Sequence, residues 1–351
     1  MFGIFADQIS TPVSAMQIAQ ALQQMEAYIA KFPNDLLEGL RIGQAAIAGF
    51  HTAPVNKVII TGLGGSGIGG RILENAVSQS CKVPILFLQD YTLPAWVDHD
   101  TLLIAVSYSG NTEETLSALA EAEARKPQVV CITAGGEMER VARENHYNII
   151  VIPSGQPPRT SLGWNSVQQF FALHAYGLID NRFKSDFTAA ADLLHREKGA
   201  IVTQAEEVAL ALRNTIPIIY CEAGIEAVAV RLRQQINENG KMLGWHHVLP
   251  EMNHNELVGW AGAKNGHSVL FLKTSFDNPR TSNRVELTRS LVKTHTEIIV
   301  DLIAKGQSRI EQIYYLIHLG DWISYALAEL EGIDPIDISV IDRFKSALAK
   351  S

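Results

Sequence analysis

Three features are scarce or missing in this sequence: cysteine, long apolar runs and an excess of positive charge. Its cysteines lie far apart, at Cys81, Cys131 and Cys221, which excludes a disulfide framework and predicts buried thiols in a reducing compartment. No segment approaches the roughly 20 apolar residues of a membrane-spanning helix, and the first residues lack the basic and apolar regions of a secretory signal. We therefore expect a cytoplasmic protein with no membrane partner.

The charge balance argues against nucleic acid as a partner. The chain carries 29 Lys and Arg residues against 37 Asp and Glu residues, a formal net charge of −8, and no basic run offsets that total. Nothing in its charge favours nucleic acid, so any phosphate that it binds must be bound locally. With 351 residues, 47% of them hydrophobic, the chain is long enough for two globular domains.

Short apolar segments separated by helix-length connections follow one another from Lys57 onward. This alternation predicts an α/β domain with a parallel sheet, and right-handed crossovers bring the loops after the strands to one edge of that sheet. The predicted strands are 57–61, 85–88, 102–106, 129–133 and 149–152.

The loop after the third predicted strand contains three hydroxyl side chains, those of Ser107, Ser109 and Thr112, and leads into a helix. Unpaired N–H groups and the dipole at a helix start favour an anion, and Gly110 removes a Cβ that would block close approach. Because an N-cap needs only one hydroxyl, the loop predicts a phosphate site made of neutral dipoles. An ordinary capped helix start is the alternative.

A glycine-rich loop, residues 62–70, follows the first strand and precedes a helix predicted over 71–77. It fits the G-x-G-x-x-G pattern, and Asp90 lies near the place where dinucleotide-binding proteins bind the ribose, so a nicotinamide-dependent enzyme is an alternative. Ser66 inside this loop, together with the hydroxyl-rich loop two strands later, favours one compact phosphate instead. A tight turn without a ligand is the third possibility.

Arg159 follows two prolines and precedes a Gly-Trp pair within the linker-like segment 153–164. Proline restricts the backbone, so this arginine is held more firmly than a solvent-exposed one requires. We interpret it as a guanidinium that faces a substrate. A solvated charge in a linker is the alternative.

The alternation restarts at residue 216, with strands predicted over 216–221, 268–272 and 296–300 and a helix over 225–239. The chain therefore looks duplicated, with a second sheet domain that lacks the phosphate loops. On the helix, Glu238 lies about 200° round from the apolar Ile236, where a carboxylate can act as a general base. The alternative is an exposed glutamate paired with Lys241.

The segment 246–256 holds more histidines and carboxylates than an ordinary connection. One interpretation is a metal site of His247, His254 and Glu256, although the spacing matches no tight zinc motif. Another is that His254, flanked by two asparagines that fix its ring, transfers protons. A structural histidine is the third.

Five segments, in order along almost the whole chain, resemble the bifunctional phosphoglucose/phosphomannose isomerases, which are built from two sugar isomerase (SIS) domains. The first two segments are shared by all SIS proteins, and the other three are specific to this family. The segments are Gly64-Gly65-Ser66-Gly67, Ser107-Tyr108-Ser109-Gly110-Asn111-Thr112, Pro157-Pro158-Arg159, Asn237-Glu238-Asn239 and Pro250-Glu251-Met252-Asn253-His254-Asn255-Glu256.

The resemblance implies two SIS-type domains, each a parallel sheet flanked by helices in flavodoxin-like layering, with leading and closing helices. The leading helices are expected over 12–31 and 36–50. The expected parts are N-terminal helices over 1–50, a first SIS domain over 51–155, a connecting linker with helices over 156–200, a second SIS domain over 201–335 and a C-terminal helix over 336–351.

The resemblance also implies an isomerase that interconverts glucose 6-phosphate, and mannose 6-phosphate, with fructose 6-phosphate through an enediolate, without metal or cofactor. It assigns Glu238 to the proton transfer between C2 and C1, Arg159 to the enediolate charge, and His254 with Lys345 to ring opening. The residues that it assigns to the substrate phosphate are Gly65, Ser66, Ser107, Ser109 and Thr112.

A homodimer is implied as well, with His254 supplied across the subunit interface. Two other functions stay open at this point: a non-catalytic SIS protein that binds a sugar phosphate, and a nicotinamide-dependent oxidoreductase.

Overall fold

The computed structural model describes residues 14–263 and 266–348. Its first element is one long helix, α1 (Ala15–Ala46), which begins with a capping box. The Ser14 side chain accepts a hydrogen bond from the Gln17 N–H, and the Gln17 side chain accepts one from the Ser14 N–H. The predicted helix start at Pro12 lies outside the described residues.

Pro33 lies inside α1, so the prediction of two leading helices separated there is wrong. A proline in a helix interior removes one hydrogen bond and crowds the preceding turn. Here Phe32, Pro33 and Leu36 are all buried. Packing of this face against the core outweighs the local cost of the proline.

The first domain contains five parallel strands with helices between them. The strands are β1 (Lys57–Thr61), β2 (Ile85–Leu88), β3 (Thr101–Ser107), β4 (Gln128–Thr133) and β5 (Asn148–Val151). The helices are α2 (Gly64–Val77), α3 (Glu113–Arg125) and α4 (Gly136–Glu144). The strand order β2-β1-β3-β4-β5 is the flavodoxin-like order, and the predicted fold class is confirmed.

Helix α2 begins at Gly64, well before the start predicted at Arg71. Its glycines form a packing surface as well as a turn, because a Cβ at Gly70 would lie 2.7 Å from Ile60 Cγ2. A Cβ at Gly69 would overlap the Gln169 side chain. The segment that reads as an extended glycine loop is therefore largely the first half of a helix.

Two helices connect the sheets, α5 (Leu162–Ala175) and α6 (Arg182–Leu212). α5 is buried over most of its length and packs against α1 and α2. The boundary expected between residues 200 and 201 lies within α6, which runs through that position without a break.

The second domain repeats the plan with four parallel strands. They are β6 (Ile216–Glu222), β7 (Trp245–Leu249), β8 (His267–Lys273) and β9 (Ile299–Ile303), in the order β7-β6-β8-β9. The helices are α7 (Glu226–Glu238), α8 (Glu256–Gly259), α9 (Pro279–Val292), α10 (Arg309–Glu331) and α11 (Ser339–Leu348).

The sequence pattern misses one strand of this sheet and misplaces another. β7 is an edge strand, only partly buried, and its Trp-His-His start carries no apolar alternation. β9 begins at Ile299 instead of Thr296, whose side chain donates a hydrogen bond to the His267 carbonyl oxygen before the strand starts. In both cases polar residues at the edge of the sheet or at the start of a strand hide the apolar pattern from which strands are predicted.

One continuous core joins the two domains. It contains Ile60 of the first sheet, Ile219 of the second and the buried faces of α6 and α10. The two domains are therefore packed as one body, and residues from both contribute to the surface between them.

His318 on α10 is fully buried, and its ring stacks on Phe32 with ring centroids 5.5 Å apart. The indole N–H of Trp322 donates to Nε2 of His318 at 3.1 Å, so the imidazole carries its proton on Nδ1. Burial lowers the pKa of His318 to about 3, with smaller contributions from neighbouring basic groups. This histidine is a neutral member of the core at pH 7.

All three cysteines are free thiols; Cys131 and Cys221 are buried and Cys81 is half-buried. Among the helices of the described ranges, none combines the length and apolarity that a bilayer crossing needs. The closing helix α11 is amphipathic and largely exposed, with Val340 and Phe344 on its surface.

Candidate active site

The two predicted phosphate loops are in direct contact. The backbone N–H of Tyr108, which follows β3, donates to the Ser66 Oγ in the first turn of α2 at 2.9 Å. Ser66 is buried and its hydroxyl proton is still available for donation to a ligand. The parallel sheet thus brings together two loops whose bonded residues, Ser66 and Tyr108, are 42 positions apart in the chain, as the order of its strands predicts.

The helices that begin at these loops have uncapped N-termini. Neither Leu63 before α2 nor Thr112 before α3 makes a side-chain hydrogen bond to its own helix start. The first-turn N–H groups and the positive ends of both helix dipoles are therefore directed toward the space next to the loops. This arrangement suits an anion and does not match the ordinary capped start weighed above.

The three hydroxyls of the second loop differ in their hydrogen-bond partners and exposure. The Oγ atoms of Ser107 and Thr112 are hydrogen-bonded at 2.8 Å, so one of the two is free to donate outward. Ser109 is exposed and its Oγ accepts from the Asn111 N–H at 3.2 Å. Gly110 has φ +70°, and a Cβ there would overlap the Gly135 carbonyl oxygen. Gly110 thus permits the close approach of the neighbouring turn.

Gly65 connects the phosphate loops to Arg159. A Cβ at Gly65 would lie 2.8 Å from both the Cα and the N of Arg159. This close backbone contact places the arginine directly beside the start of α2. The sequence predicts Gly65 and Arg159 as site residues but not that they touch.

Arg159 is buried, with 3% of its surface exposed, which rules out a solvated linker charge. Its Nε donates to Asn239 Oδ1 at 2.8 Å, and its Nη2 donates to the Pro335 carbonyl oxygen at 2.5 Å. Its Nη1 lies 3.4 Å from Glu238 Oε2. Burial lowers the pKa of the Arg159 guanidinium from its usual value, and the Glu238 carboxylate opposes that shift.

Glu238 is the last residue of α7, and its side chain is 28% exposed. It lines a cavity of about 430 Å³ between the end of α7 and the segment that leads into α11; the lining residues are Asn237, Glu238, Lys241 and residues 337–341. A partly accessible carboxylate next to a buried guanidinium can accept a proton from a molecule in this cavity.

Lys241 does not pair with the Glu238 carboxylate. Its Nζ donates to the Glu238 carbonyl oxygen and to the Asp337 carbonyl oxygen, each at 2.6 Å. The surface ion pair weighed for Glu238 is therefore wrong. The lysine instead ties the end of α7 to the segment that precedes α11.

The predicted site residues His254 and Lys345 are not bonded to this group in the described chain. His254 lies exposed at the end of the short 3₁₀ turn Glu251–His254 after β7, and Lys345 lies exposed on α11. Within residues 14–263 and 266–348, no hydrogen bond or ion pair links either side chain to Glu238 or Arg159.

The Glu256 carboxylate is bonded to side chains of the second sheet, whereas the metal hypothesis requires it to face a metal ion together with His247 and His254. Its carboxylate accepts from the Tyr220 hydroxyl at 2.5 Å and the Trp245 indole at 3.2 Å, and pairs with His247 Nδ1 at 2.6 Å. The described ranges contain no group of three or more His, Cys, Asp or Glu side chains placed to hold a metal ion. Glu256 fixes the chain two residues after His254 to the second sheet.

Sequence reasoning misses the ion pair behind Arg159. Arg231 Nη2 donates to the Arg159 carbonyl oxygen at 3.1 Å and to Asp321 Oδ2 at 2.8 Å, and both charged groups are buried. The available signal is Asp321 within the run 313–328 of α10, which is mostly apolar and otherwise free of Asp, Glu, Lys and Arg, because a buried carboxylate needs a partner.

Two family models match this chain. The SIS domain model matches residues 53–177, and the model of the bacterial phospho-glucose isomerase C-terminal SIS domain matches residues 201–348. Together with the two parallel sheets, these matches define a protein of two SIS domains.

The relatives narrow this class to one family. The chain is 36% identical over 332 residues to a bifunctional phosphoglucose/phosphomannose isomerase of Caldicellulosiruptor bescii, an alignment that covers 92% of this chain and 98% of the relative. It is 35% identical to the Aquifex aeolicus protein of the same name, with 85% and 92% covered. The chain therefore belongs to the bifunctional phosphoglucose/phosphomannose isomerase family, as its motifs predict.

Solved structures share the fold at low identity. The C-terminal domain of glucosamine-fructose-6-phosphate aminotransferase from Francisella tularensis has a TM-score of 0.71 at 14% identity, covering 89% of this chain and 98% of that one. Glucosamine-6-phosphate deaminase from Thermotoga maritima has a TM-score of 0.61 at 15% identity, covering 92% and 97%. At such identities the likeness concerns the fold alone.

Proposed function

We propose that this chain is an aldose–ketose isomerase that interconverts glucose 6-phosphate, and mannose 6-phosphate, with fructose 6-phosphate. Family membership supports the reaction class. The observation that supports it most directly is the 3.4 Å approach of Arg159 Nη1 to Glu238 Oε2, beside the phosphate loops. A base and a fixed positive charge next to an anion site are what an enediolate mechanism needs.

In the proposed complex the phosphate lies between the starts of α2 and α3. Backbone N–H groups near Gly65 and the hydroxyls of Ser66, Ser107, Ser109 and Thr112 donate to its oxygens. This contact is remote from the carbons that react. Its binding energy holds C1 and C2 of the sugar next to the carboxylate.

The proton transfer follows from this placement. Glu238 removes the C2 proton of the aldose, the C–H electrons form the C1–C2 double bond, and the oxygen on C1 takes the negative charge. Arg159 stabilises that charge. The hydroxyl proton on O2 moves to O1 while Glu238 returns its proton to C1, so that the C2 carbonyl of the ketose forms. Because the carbon-bound proton is returned, the reaction consumes no redox cofactor.

His254 and Lys345 open and close the sugar ring in this proposal. Since His254 is exposed and not bonded to Glu238 or Arg159 in the described chain, we place it in the active site of a second copy. The exposed Leu243 and Val258, 80% and 78% accessible, lie on either side of the segment that carries His254, and burial of such side chains favours association. The functional unit is then a homodimer in the cytoplasm.

A coupled assay tests the function. The purified chain is given glucose 6-phosphate or mannose 6-phosphate in the presence of a chelator, and fructose 6-phosphate is measured. We expect turnover of both substrates without added metal. Tight binding without turnover would instead indicate a sugar-phosphate sensor, and reduction of a nicotinamide would indicate an oxidoreductase.

A further inference from the structure

A group of buried polar side chains lies behind Arg159 and does not contact the cavity. Asn239 is the C-cap residue that follows α7, Arg231 lies two turns earlier on that helix, and Asp321 and Ser324 lie on α10. All four are buried. Their hydrogen bonds form a closed ring that begins and ends at Arg159.

One side of the ring holds the guanidinium. Arg159 Nε donates to Asn239 Oδ1 at 2.8 Å, and Asn239 Nδ2 donates to Ser324 Oγ at 3.0 Å. Ser324 Oγ in turn donates to the Asp321 carbonyl oxygen at 2.7 Å. The Asn239 amide is therefore oriented by α10, and it fixes the edge of the guanidinium that carries Nε.

The other side of the ring holds the backbone. Arg231 Nη2 donates to the Arg159 carbonyl oxygen at 3.1 Å and to Asp321 Oδ2 at 2.8 Å. Gln235 Nε2 donates to the second carboxylate oxygen, Oδ1, at 3.0 Å. The ring thus holds Arg159 at its carbonyl and its Nε, and outside the ring Nη2 donates to the Pro335 carbonyl oxygen, so that Nη1 is left to face Glu238.

Stability alone does not account for this arrangement. Taking an ion pair out of water costs several kcal/mol per charge, and well-packed apolar residues in its place are often as stable or more so. A buried network in which each member is bonded does, however, restrict a side chain to one orientation. The fixed orientation of the Arg159 guanidinium offsets the desolvation cost of the buried ion pair.

We propose that Asn239 and the Arg231–Asp321 pair are positioning residues, which act on the reaction only by directing Nη1 of Arg159 toward Glu238 and the substrate oxygens. The proposal rests on the proposed function, since it assigns these residues to the same enediolate step. It goes beyond that function because none of the three lines the cavity next to Glu238.

The first test replaces Asn239 by leucine, which has a similar size but no acceptor for Nε. We expect kcat to fall about 10- to 100-fold, the range that loss of a charged hydrogen bond predicts. KM should change less than about threefold because the phosphate loops are untouched. Tyr314→Phe is the matched control. Tyr314 is buried on α10, and its replacement removes a buried hydrogen bond to Ser166. The stability of this variant should therefore fall while its kcat is retained.

A double-mutant cycle separates positioning from a general structural effect. In the Arg159→Lys background there is no guanidinium to orient, so Asn239→Leu should cost little further kcat. The full loss in that background would contradict the proposal. On the other side of the ring, Arg231→Lys keeps the charge and one donor whereas Arg231→Met keeps neither, so the lysine variant should retain more kcat.

A crystal structure of the Asn239→Leu variant gives a result that does not depend on activity. We expect the guanidinium to be displaced from Glu238 while the phosphate loops stay in place. If it keeps its 3.4 Å contact with Glu238, the positioning role is overturned. Lack of isomerase activity in the parent protein would overturn the proposed function instead, and the two failures are therefore distinguishable.

Discussion

Gly65 lies against Arg159 so closely that a Cβ on the glycine would be 2.8 Å from the arginine Cα. The same arginine faces Glu238 on its other side, with Nη1 3.4 Å from Oε2. Through Arg159, the start of a helix in the first domain is therefore connected to the end of a helix in the second.

The contact between Gly65 and Arg159 predicts that one added methyl group at Gly65 lowers both stability and activity. Gly65→Ala should displace the Arg159 backbone, because neither atom that meets the new Cβ belongs to a flexible side chain. We expect a loss of about 1–3 kcal/mol in unfolding free energy, the usual cost of overpacking, together with a fall in kcat. Urea unfolding and steady-state kinetics measure the two effects.

Gly199→Ala is the control for this variant. Gly199 lies inside α6 with nothing within 4 Å of an added Cβ, so alanine should raise stability by about 0.5–1 kcal/mol and leave kcat unchanged. Equal behaviour of the two variants would contradict the importance of the Gly65 contact.

Glu238→Gln distinguishes an enzyme from a sensor. Glutamine keeps the size of the side chain but cannot accept the C2 proton, so kcat should fall by about 10²–10⁴-fold or more while substrate still binds. Turnover and exchange of the C2 hydrogen with solvent deuterium are the measurements. If the variant isomerises within tenfold of the parent, the base must be sought at Glu251 or Glu256.

Thr112→Val removes a hydroxyl that is bonded to Ser107 at 2.8 Å in the phosphate loop. We expect KM to rise about tenfold or more, since a hydrogen bond to a charged group is worth about 1.5–3 kcal/mol, with little change in folding. Ser80→Ala, which removes a hydroxyl bonded only to the Val77 carbonyl oxygen at the far end of α2, should not change KM. An unchanged KM in Thr112→Val would place the phosphate elsewhere.

Mixed dimers test the contribution of the second chain. Glu238→Gln and His254→Ala subunits are each expected to be inactive alone, but a hybrid contains one site with both native residues if His254 crosses the interface. Unfolding and refolding the two variants together should restore part of the activity. Hybrids that form, as shown by differential tags, yet stay inactive would mean that each site is built within one chain.

His318 predicts a defined pH dependence of stability. Its pKa is about 3 in the folded protein and about 6.5 in an unfolded chain, so the unfolded state binds more protons as the pH falls below 6.5. The stabilisation present above pH 6.5 is therefore lost progressively toward pH 3. Between pH 7 and pH 5 the loss amounts to roughly 2 kcal/mol.

The comparison is with His318→Gln, which keeps an acceptor for the Trp322 indole but does not titrate in this range. Urea unfolding at pH 7 and pH 5 should show a smaller decrease in the variant than in the parent. Parallel decreases would mean that His318 gains access to solvent before the chain unfolds.

Local sequence patterns predict the first sheet well because its strands are short apolar runs. β1 and β2 have the predicted bounds, and the loops that carry Ser66 and Ser107 lie together because strand ends of a parallel sheet meet at one edge. The same patterns fail at Pro33 and at the Trp-His-His start of β7. Packing against residues far away in the sequence determines the structure of both segments.

The network behind Arg159 lies beyond such patterns for a physical reason. Arg231 bonds to a carbonyl 72 positions away and to a carboxylate 90 positions away. No local spacing encodes these pairs. A buried charge signals that a partner exists, and the identity of the partner follows only from the folded chain.

Arg159 also donates to the carbonyl oxygen of Pro335, a residue 176 positions further along the chain. During synthesis on the ribosome, both sheets and their shared core are therefore translated before this guanidinium has its last acceptor. A chain arrested just ahead of Pro335 has every strand of the fold, but its arginine lacks that acceptor. Translation of the described strands and completion of the hydrogen bonds around Arg159 are thus separate events in the synthesis of the chain.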